Sequence, residues 1–345
     1  MNNKDQLFRK GQSGRSRRII WLLLFMLIGI YLLSFTLGRL SVPIGQVLRI
    51  LLSRLVNIPK MWDDAMESAV LRVRLPRITM AAFVGCCLSA AGASYQGVFQ
   101  NPMASPDILG ASNGAAFGAA LAILLGAGAA MTSGFAFLFS IVTVSLAFVI
   151  ARKARGQPIT NLILAGIMLG SLMTAATSYL KLVADPNEQL PKITYWLMGS
   201  LNGIKLRQLY AVLPMLAGLI PLLLVRWRIN LLALGDDEAH TMGINVNRLR
   251  LLIVICATLI TASSVSVSGM IGWVGLVIPH FSRKLVGSNY RYLMPASMMA
   301  GAAFLIVVDD VSRNLLTTEI PIGILTAFIG APFFIYLLCR REKTF

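Results

Sequence analysis

Acid, histidine and cysteine are all scarce in this chain of 345 residues, which holds 14 Asp+Glu, 2 His and 4 Cys against 31 Lys+Arg. The two histidines, His240 and His280, have no neighbouring cluster of His, Asp or Glu, so nothing completes a metal site. A lone histidine at a helix end reads more readily as a hydrogen-bonded structural group. Cys86, Cys87, Cys256 and Cys339 all fall in apolar runs, without the spacing of a zinc site or a disulfide framework, and read as small packing residues. A Gly-x4-Gly-Lys-Ser/Thr phosphate loop is also missing, so the chain by itself is no P-loop ATPase. No paired catalytic residues stand out, which disfavours an intramembrane enzyme.

What the chain has is apolar sequence: 57% of it is hydrophobic and only 13% charged. Runs of roughly 18 to 22 apolar residues are long enough to cross a bilayer. They place spans near 19–38, 78–97, 106–126, 134–151, 160–182, 209–225, 249–268, 270–286, 292–309 and 320–339. The expectation is an all-α integral membrane protein of about ten transmembrane helices. It divides into a basic segment 1–18, a ten-span domain 19–340 and a tail 341–345. Arg15, Arg17 and Arg18 precede the first run as they would in a cleaved signal, but the run is too long and no small-x-small site follows it. With the amino terminus inside, 19 of the 31 Lys+Arg fall on cytoplasmic segments and 12 outside, so both termini are expected in the cytoplasm. The net charge of +17 flanks spans, where anionic headgroups rather than nucleic acid are the expected partner.

Between the first two runs, Ile44, Val47, Leu48, Leu51, Leu52, Leu55 and Val56 recur at helical spacing with Arg49, Ser53 and Arg54 opposite, up to Pro59. This pattern predicts a helix lying on the outer membrane surface. Small residues recur every fourth position at Ala81, Gly85, Ser89, at Gly110, Gly114, Gly118 and at Gly166, Gly170, Thr174, which allows close helix approach and needs no further role than bundle packing. "SAAG" before Pro102 and "SVSG" before Pro279 stand at equal spacing, as a duplication or a coincidence would leave them. The middles of the spans hold no ionisable side chain; Asp309 and Asp310 sit at the outer end of the ninth. An ion-coupled carrier keeps such groups at depth despite their cost of about 2.5–3.5 kcal/mol each. Their absence disfavours an ion-driven carrier or channel, so uphill work must be powered by another subunit.

Within "LALGDDEAHTMGI", Asp236, Asp237 and Glu238 fall in the first turn of a short helix, where they complement the positive dipole end, and Gly243 suits a left-handed stop. Leu232, Leu234, Ala239 and Met242 give it an apolar side, and Arg226, Arg228, Arg248 and Arg250 flank it. Such a peg is either a surface cap or a helix that inserts into a partner's groove.

These residues resemble the coupling loop of the FecCD-type permeases of iron-siderophore, haem and cobalamin ABC importers. The likeness continues in "RVRLPRI" (72–78), "QNPMASPDILGASNGAAFG" (100–118), "YWLMGSL" (195–201), "GMIGWVGLVIPHFSRKLVG" (269–287) and "EIPIGILTAFIGAPFFIYLL" (319–338). The resemblance implies a type II ABC importer permease that dimerises with an identical or homologous chain. It implies docking on two cytosolic ATPase subunits through 231–243, with Leu234, Gly235, Asp236, Asp237, Glu238, Ala239, Met242 and Gly243 as coupling residues. ATP and Mg belong to the ATPase, no cofactor is expected on this chain, and an extracytoplasmic binding protein delivers the ligand. By the same resemblance Arg74, Arg77 and Arg313 receive carboxylates of that protein, where snorkelling to headgroups is the plainer alternative. Asn101 and Met103, with Thr160 and Asn161, are expected to form a cytoplasmic gate, or else simple turns. Two departures stand out: Ser288-Asn289-Tyr290-Arg291 where many members carry Asp-His-Arg, and Val308-Asp309-Asp310 where Ala-Asp is common. Within the resemblance "NPMASPDILG" is more similar to the iron-siderophore members, which implies a ferric siderophore as cargo, with haem and cobalamin as alternatives, and the family likeness implies a bacterial cytoplasmic membrane as the site.

Overall fold

Apolar runs broken by Pro, Gly and Asn fold into helices separated by short turns. The computed structural model describes residues 3–38, 40–54, 56, 59, 60 and 62–339, and among them every regular element is helical. In chain order these are α1 (Asn3–Ser34), α2 (Ile44–Leu52), α3 (Asp64–Ser68), α4 (Leu75–Val98), α5 (Ala111–Leu124), α6 (Ala129–Lys153) and α7 (Pro158–Val183). There follow α8 (Gln189–Leu197), α9 (Val212–Leu232), α10 (Asp236–Thr241), α11 (Val246–Ser268), α12 (Val274–Val286), α13 (Tyr290–Asn314) and α14 (Ile322–Cys339).

The ten runs correspond to α1, α4, α5, α6, α7, α9, α11, α12, α13 and α14. Seven helices among the described residues are long and apolar enough to cross a membrane, and α5, α12 and α14 are shorter. At 1.5 Å per residue the 14 residues of α5 reach only about 21 Å, less than a hydrocarbon core of about 30 Å. Ahead of both α5 and α12 runs chain that is not α-helical. Residues 99–110 lead down into α5, and 269–273, with positive φ at Gly269 and Trp273, lead into α12. The basic amino-terminal segment is not separate from the first span, since α1 is continuous from Asn3, and Ser16 Oγ donates to Val286 O at 3.1 Å. The tail 341–345 lies outside the described residues. The outer amphipathic helix is confined to α2, where Val47 and Ile50 are buried and Ile44, Leu48 and Leu52 exposed; Leu55 lies outside the described residues.

α4, α11 and α13 form the buried centre, whereas α1, α6, α7 and α9 leave most of their surface uncovered. The small-residue stripes are the seams of this packing. A Cβ on Gly92 of α4 would lie 1.7 Å from Gly275 O of α12, and one on Gly85 would lie 2.2 Å from Gly301 O of α13. Ahead of α4, Ala69–Arg74 forms a π turn. Pro76 lacks the N–H for a normal helical bond and crowds the carbonyl four residues back, and the wider turn accommodates it. It also rotates Arg74 and Arg77 towards the bundle.

Candidate functional site

At one end of the bundle α10 stands between two left-handed glycines, Gly235 at φ +132° and Gly243 at φ +78°. Among its described side chains Ala239 alone is fully buried, and Leu232 just before the helix is 1% exposed. Arg250 of α11, itself buried, donates from Nη2 to Asp236 Oδ1 at 2.7 Å and so ties the peg down by its acidic first turn. Leu234 and Met242 project outward, 59% and 57% exposed, beside an exposed Glu238. The apolar residues therefore do not share one side as the sequence suggested. Leu232 and Ala239 anchor the segment, and Leu234 and Met242 are offered outward. The side chain of Asp237 lies outside the described residues.

Next to the peg, Gln100 at φ +50° donates through Nε2 to Leu232 O at 2.8 Å, linking the 99–110 segment to the root of α10. The hydrogen bonds of the four expected gate residues stay within their own two loops. Asn101 Oδ1 accepts from Met103 N at 2.9 Å, Thr160 Oγ1 donates to Gln157 Oε1 at 3.4 Å, and Asn161 Nδ2 donates to Ala154 O and Arg155 O. Asn101, Met103 and Thr160 are exposed, open to a neighbour rather than to each other.

Beyond Asn101 the segment goes deep. The 3-10 turn Pro106–Leu109 packs on α7 at Gly166, where an added Cβ would lie 2.5 Å from Ile108 O. Gly166 is eight residues into α7, about 12 Å along its axis. Asp107 accepts from Ser112 Oγ there, and its carboxylate opens into a cavity of about 480 Å³ shared with Asn113, Ser171, Thr174 and Ser178. The apolar run 106–126 holds Asp107 at its very start, and the sequence showed no ionisable group in the middle of a run. The signal available was the "SPD" breaker itself, since the glycines that seat it, Gly166 and Gly170, lie on another helix.

At the opposite end lie Arg74, Arg77 and Arg313, the three arginines expected to receive a binding protein's carboxylates. Arg77 is 6% exposed and forks to two carboxylates. Nε lies 3.0 and 3.1 Å from the Asp309 oxygens, and Nη1 and Nη2 are each 2.9 Å from the Glu319 oxygens. Arg313 pairs with Asp310 and, at 3.4 Å, with Asp309, and donates to Ser34 Oγ at 3.0 Å. Ser34 Oγ in turn donates to Asp310 at 2.6 Å. Arg74, 5% exposed, donates to Phe35 O and Leu40 O. Buried cations need compensation, and here Arg77 and Arg313 meet three carboxylates of their own chain while Arg74 is held by two backbone carbonyls. As placed, they rivet α1, α4, α13 and the segment just before α14. The extra acid in Val308-Asp309-Asp310 was the overlooked sign. More peripherally, Asp64 and Glu67 hold the Lys60 ammonium above its ordinary pKa, Asp64 first.

A ten-run helical bundle with an exposed peg at one end is the frame in which relatives become informative. The FecCD transport family model matches residues 24–340. The chain belongs to the FecCD transport family. Its members are permease subunits of ABC transporters, without catalysis of their own, and the ATPase is a separate partner. This FecCD permease is 38% identical to the molybdate import permease MolB of Haemophilus influenzae, over 94% of this chain and 96% of that protein. It is 34% identical to the hemin transport permease HmuU of Yersinia pestis, over 95% and 97%. It is 42% identical to the cobalamin import permease BtuC of Halobacterium salinarum, over 78% and 73%. An inward-facing metal-chelate type ABC transporter superposes with a TM-score of 0.84 at 37% identity, covering 93% of this chain and 99% of that one. The permease is accordingly a multi-span membrane protein of an importer, and the substrates named for its relatives differ.

Proposed function

We propose that this permease translocates a ferric siderophore across a bacterial cytoplasmic membrane, with both termini cytoplasmic and ten crossings, driven by ATP hydrolysed on two partner subunits. The observation that carries this reading is the peg: a six-residue helix fixed through Ala239 and Asp236, with Leu234 and Met242 exposed on its free side. A hydrophobic pair on a rigid short helix suits insertion into a groove on an ATPase. Ferric cargo is supported by the "NPMASPDILG" run and by an iron chelatin permease of Helicobacter pylori at 39% identity over 81% of this chain.

A second permease chain belongs against α7. Asp107, Asn113, Ser171 and Ser178 on its uncovered flank suit a water-filled path and would be costly against hydrocarbon. Closure of the ATPases then displaces the peg. The 99–110 segment, bonded to the peg's root by Gln100, transmits the shift to Asn101 and Met103, facing Thr160 and Asn161 of the neighbouring chain. The two halves rock about the path, an extracytoplasmic binding protein loads it from the other side, and no bond in the ligand is broken. Labelled ferric siderophore, haem, cobalamin and molybdate are offered to a deletion strain carrying the gene. Uptake restored for the ferric chelate alone is expected, and restoration by any of the other three instead rejects the cargo assignment.

A further inference from the structure

A second cavity, of about 390 Å³, opens beside the peg between the end of α6, the start of α7 and the start of α11. Arg152, Arg248 and Arg250 converge on it, and no carboxylate is among its described lining. Arg250 is the decisive group. Its side chain is 8% exposed and its Nη2 is engaged by Asp236, but its Nε is buried with no hydrogen-bond partner. A buried guanidinium N–H without an acceptor is unfavourable, and in a cavity lined by two further cations the missing acceptor is an anion. Besides Asn161 and Asn247 the remaining wall is apolar, with Phe148, Leu162 and Leu251 its largest side chains, and α6 continues away from the cavity with Leu146, Val149 and Ile150 exposed. Free phosphate has no use for such a wall, whereas an acyl chain below a phosphodiester does.

We infer that this cavity binds the phosphodiester headgroup of an anionic phospholipid, with the acyl chains lying along α6. Arg152 and Arg248, both exposed, bring the headgroup in, and the Arg250 Nε–H donates to a phosphate oxygen. Because Nη2 of the same guanidinium holds Asp236, the lipid and the peg share one side chain, and occupancy of the cavity stiffens the root of α10. The site is independent of which cargo the permease carries.

The test uses the full chain purified with its partner subunits in nanodiscs. Phosphatidylglycerol is titrated into phosphatidylcholine, and retained lipid is read by native mass spectrometry. R152Q/R248Q is expected to retain phosphatidylglycerol about 30-fold more weakly, from about 1 kcal/mol per cation. R152K/R248K is expected to recover most of it, and K153Q/R155Q, cations of the same end outside the cavity lining, to behave as the parent. Equal retention by R152Q/R248Q overturns the site. Displacement of the lipid by millimolar inorganic phosphate overturns the lipid assignment in favour of a free anion. Should R152Q/R248Q not fold, a diazirine-bearing phosphatidylglycerol is photolysed with the parent complex. Adducts concentrated on peptides spanning 146–162 support the site, and adducts scattered over all the helices reject it.

Discussion

Replacing Arg77 with methionine removes the centre of the outer ion-pair ring while keeping a side chain of similar length. Asp309, 1% exposed, keeps only its 3.4 Å approach to Arg313 Nε, and Glu319 loses both of its 2.9 Å bonds. Breaking a buried pair from one side costs about 3–5 kcal/mol because the remaining charge stays desolvated. On a scale of roughly 2 °C per kcal/mol for a large domain, the melting temperature should fall by about 6–10 °C. The loss is an uncompensated acid, so R77M/D309N should recover most of it, with Arg313 still held by Asp310 and Ser34. The assay is thermal unfolding of the permease in nanodiscs for parent, R77M, D309N and the double variant, with binding-protein association measured on the same samples. A parent-like melting temperature in R77M together with lost association would refute the rivet and restore a docking role for Arg77.

Four further expectations follow from the same geometry. G92L forces a side chain against Gly275 O, only 1.7 Å from the Cβ position, and should cost about 1–3 kcal/mol or more and lower the yield of folded protein, as read by size-exclusion profile. L234D/M242D places charge on the outward side of the peg without touching Ala239 or Asp236. ATPase copurification should drop severalfold while the melting temperature stays unchanged, and an intact complex would argue that the peg is a mere cap. D236K sets a cation against Arg250, and G243P imposes a negative φ where the chain holds +78°; both should uncouple ATP hydrolysis from uptake. T160C crosslinking across the dimer should depend on nucleotide, and an ATP-independent yield would count against a gate at that loop.

Much of this molecule is written locally. Runs of apolar residues fixed the ten helical segments because length and hydropathy along one stretch decide whether a helix can satisfy its own backbone in hydrocarbon. The peg was legible because Gly235, three acids and Gly243 form a helix start and stop within nine residues. The seam at Gly85 was legible as a stripe with Ala81 and Ser89, though not which helix it would meet, and the closer approach at Gly92 was not part of any stripe. Less legible were features that join distant positions. Asp107 reads as a loop residue until Gly166 and Gly170, some 60 residues on, are seen to seat its turn at depth. The helix α8 is only nine residues long and carries a proline and a lysine, so no membrane-length run announced it.

The arginines mark the boundary most sharply. Sequence alone determined that Arg74, Arg77 and Arg313 lie at span ends on the side opposite the peg, since their neighbours are apolar runs of countable length. Only the tertiary structure decided what those charges do, because it folds α13 against α4 and brings Asp309, Asp310 and Glu319 within hydrogen-bonding distance, turning surface cations into a buried, neutralised rivet. Hydropathy is a property of adjacent residues, whereas charge compensation depends on which residues the packing makes neighbours.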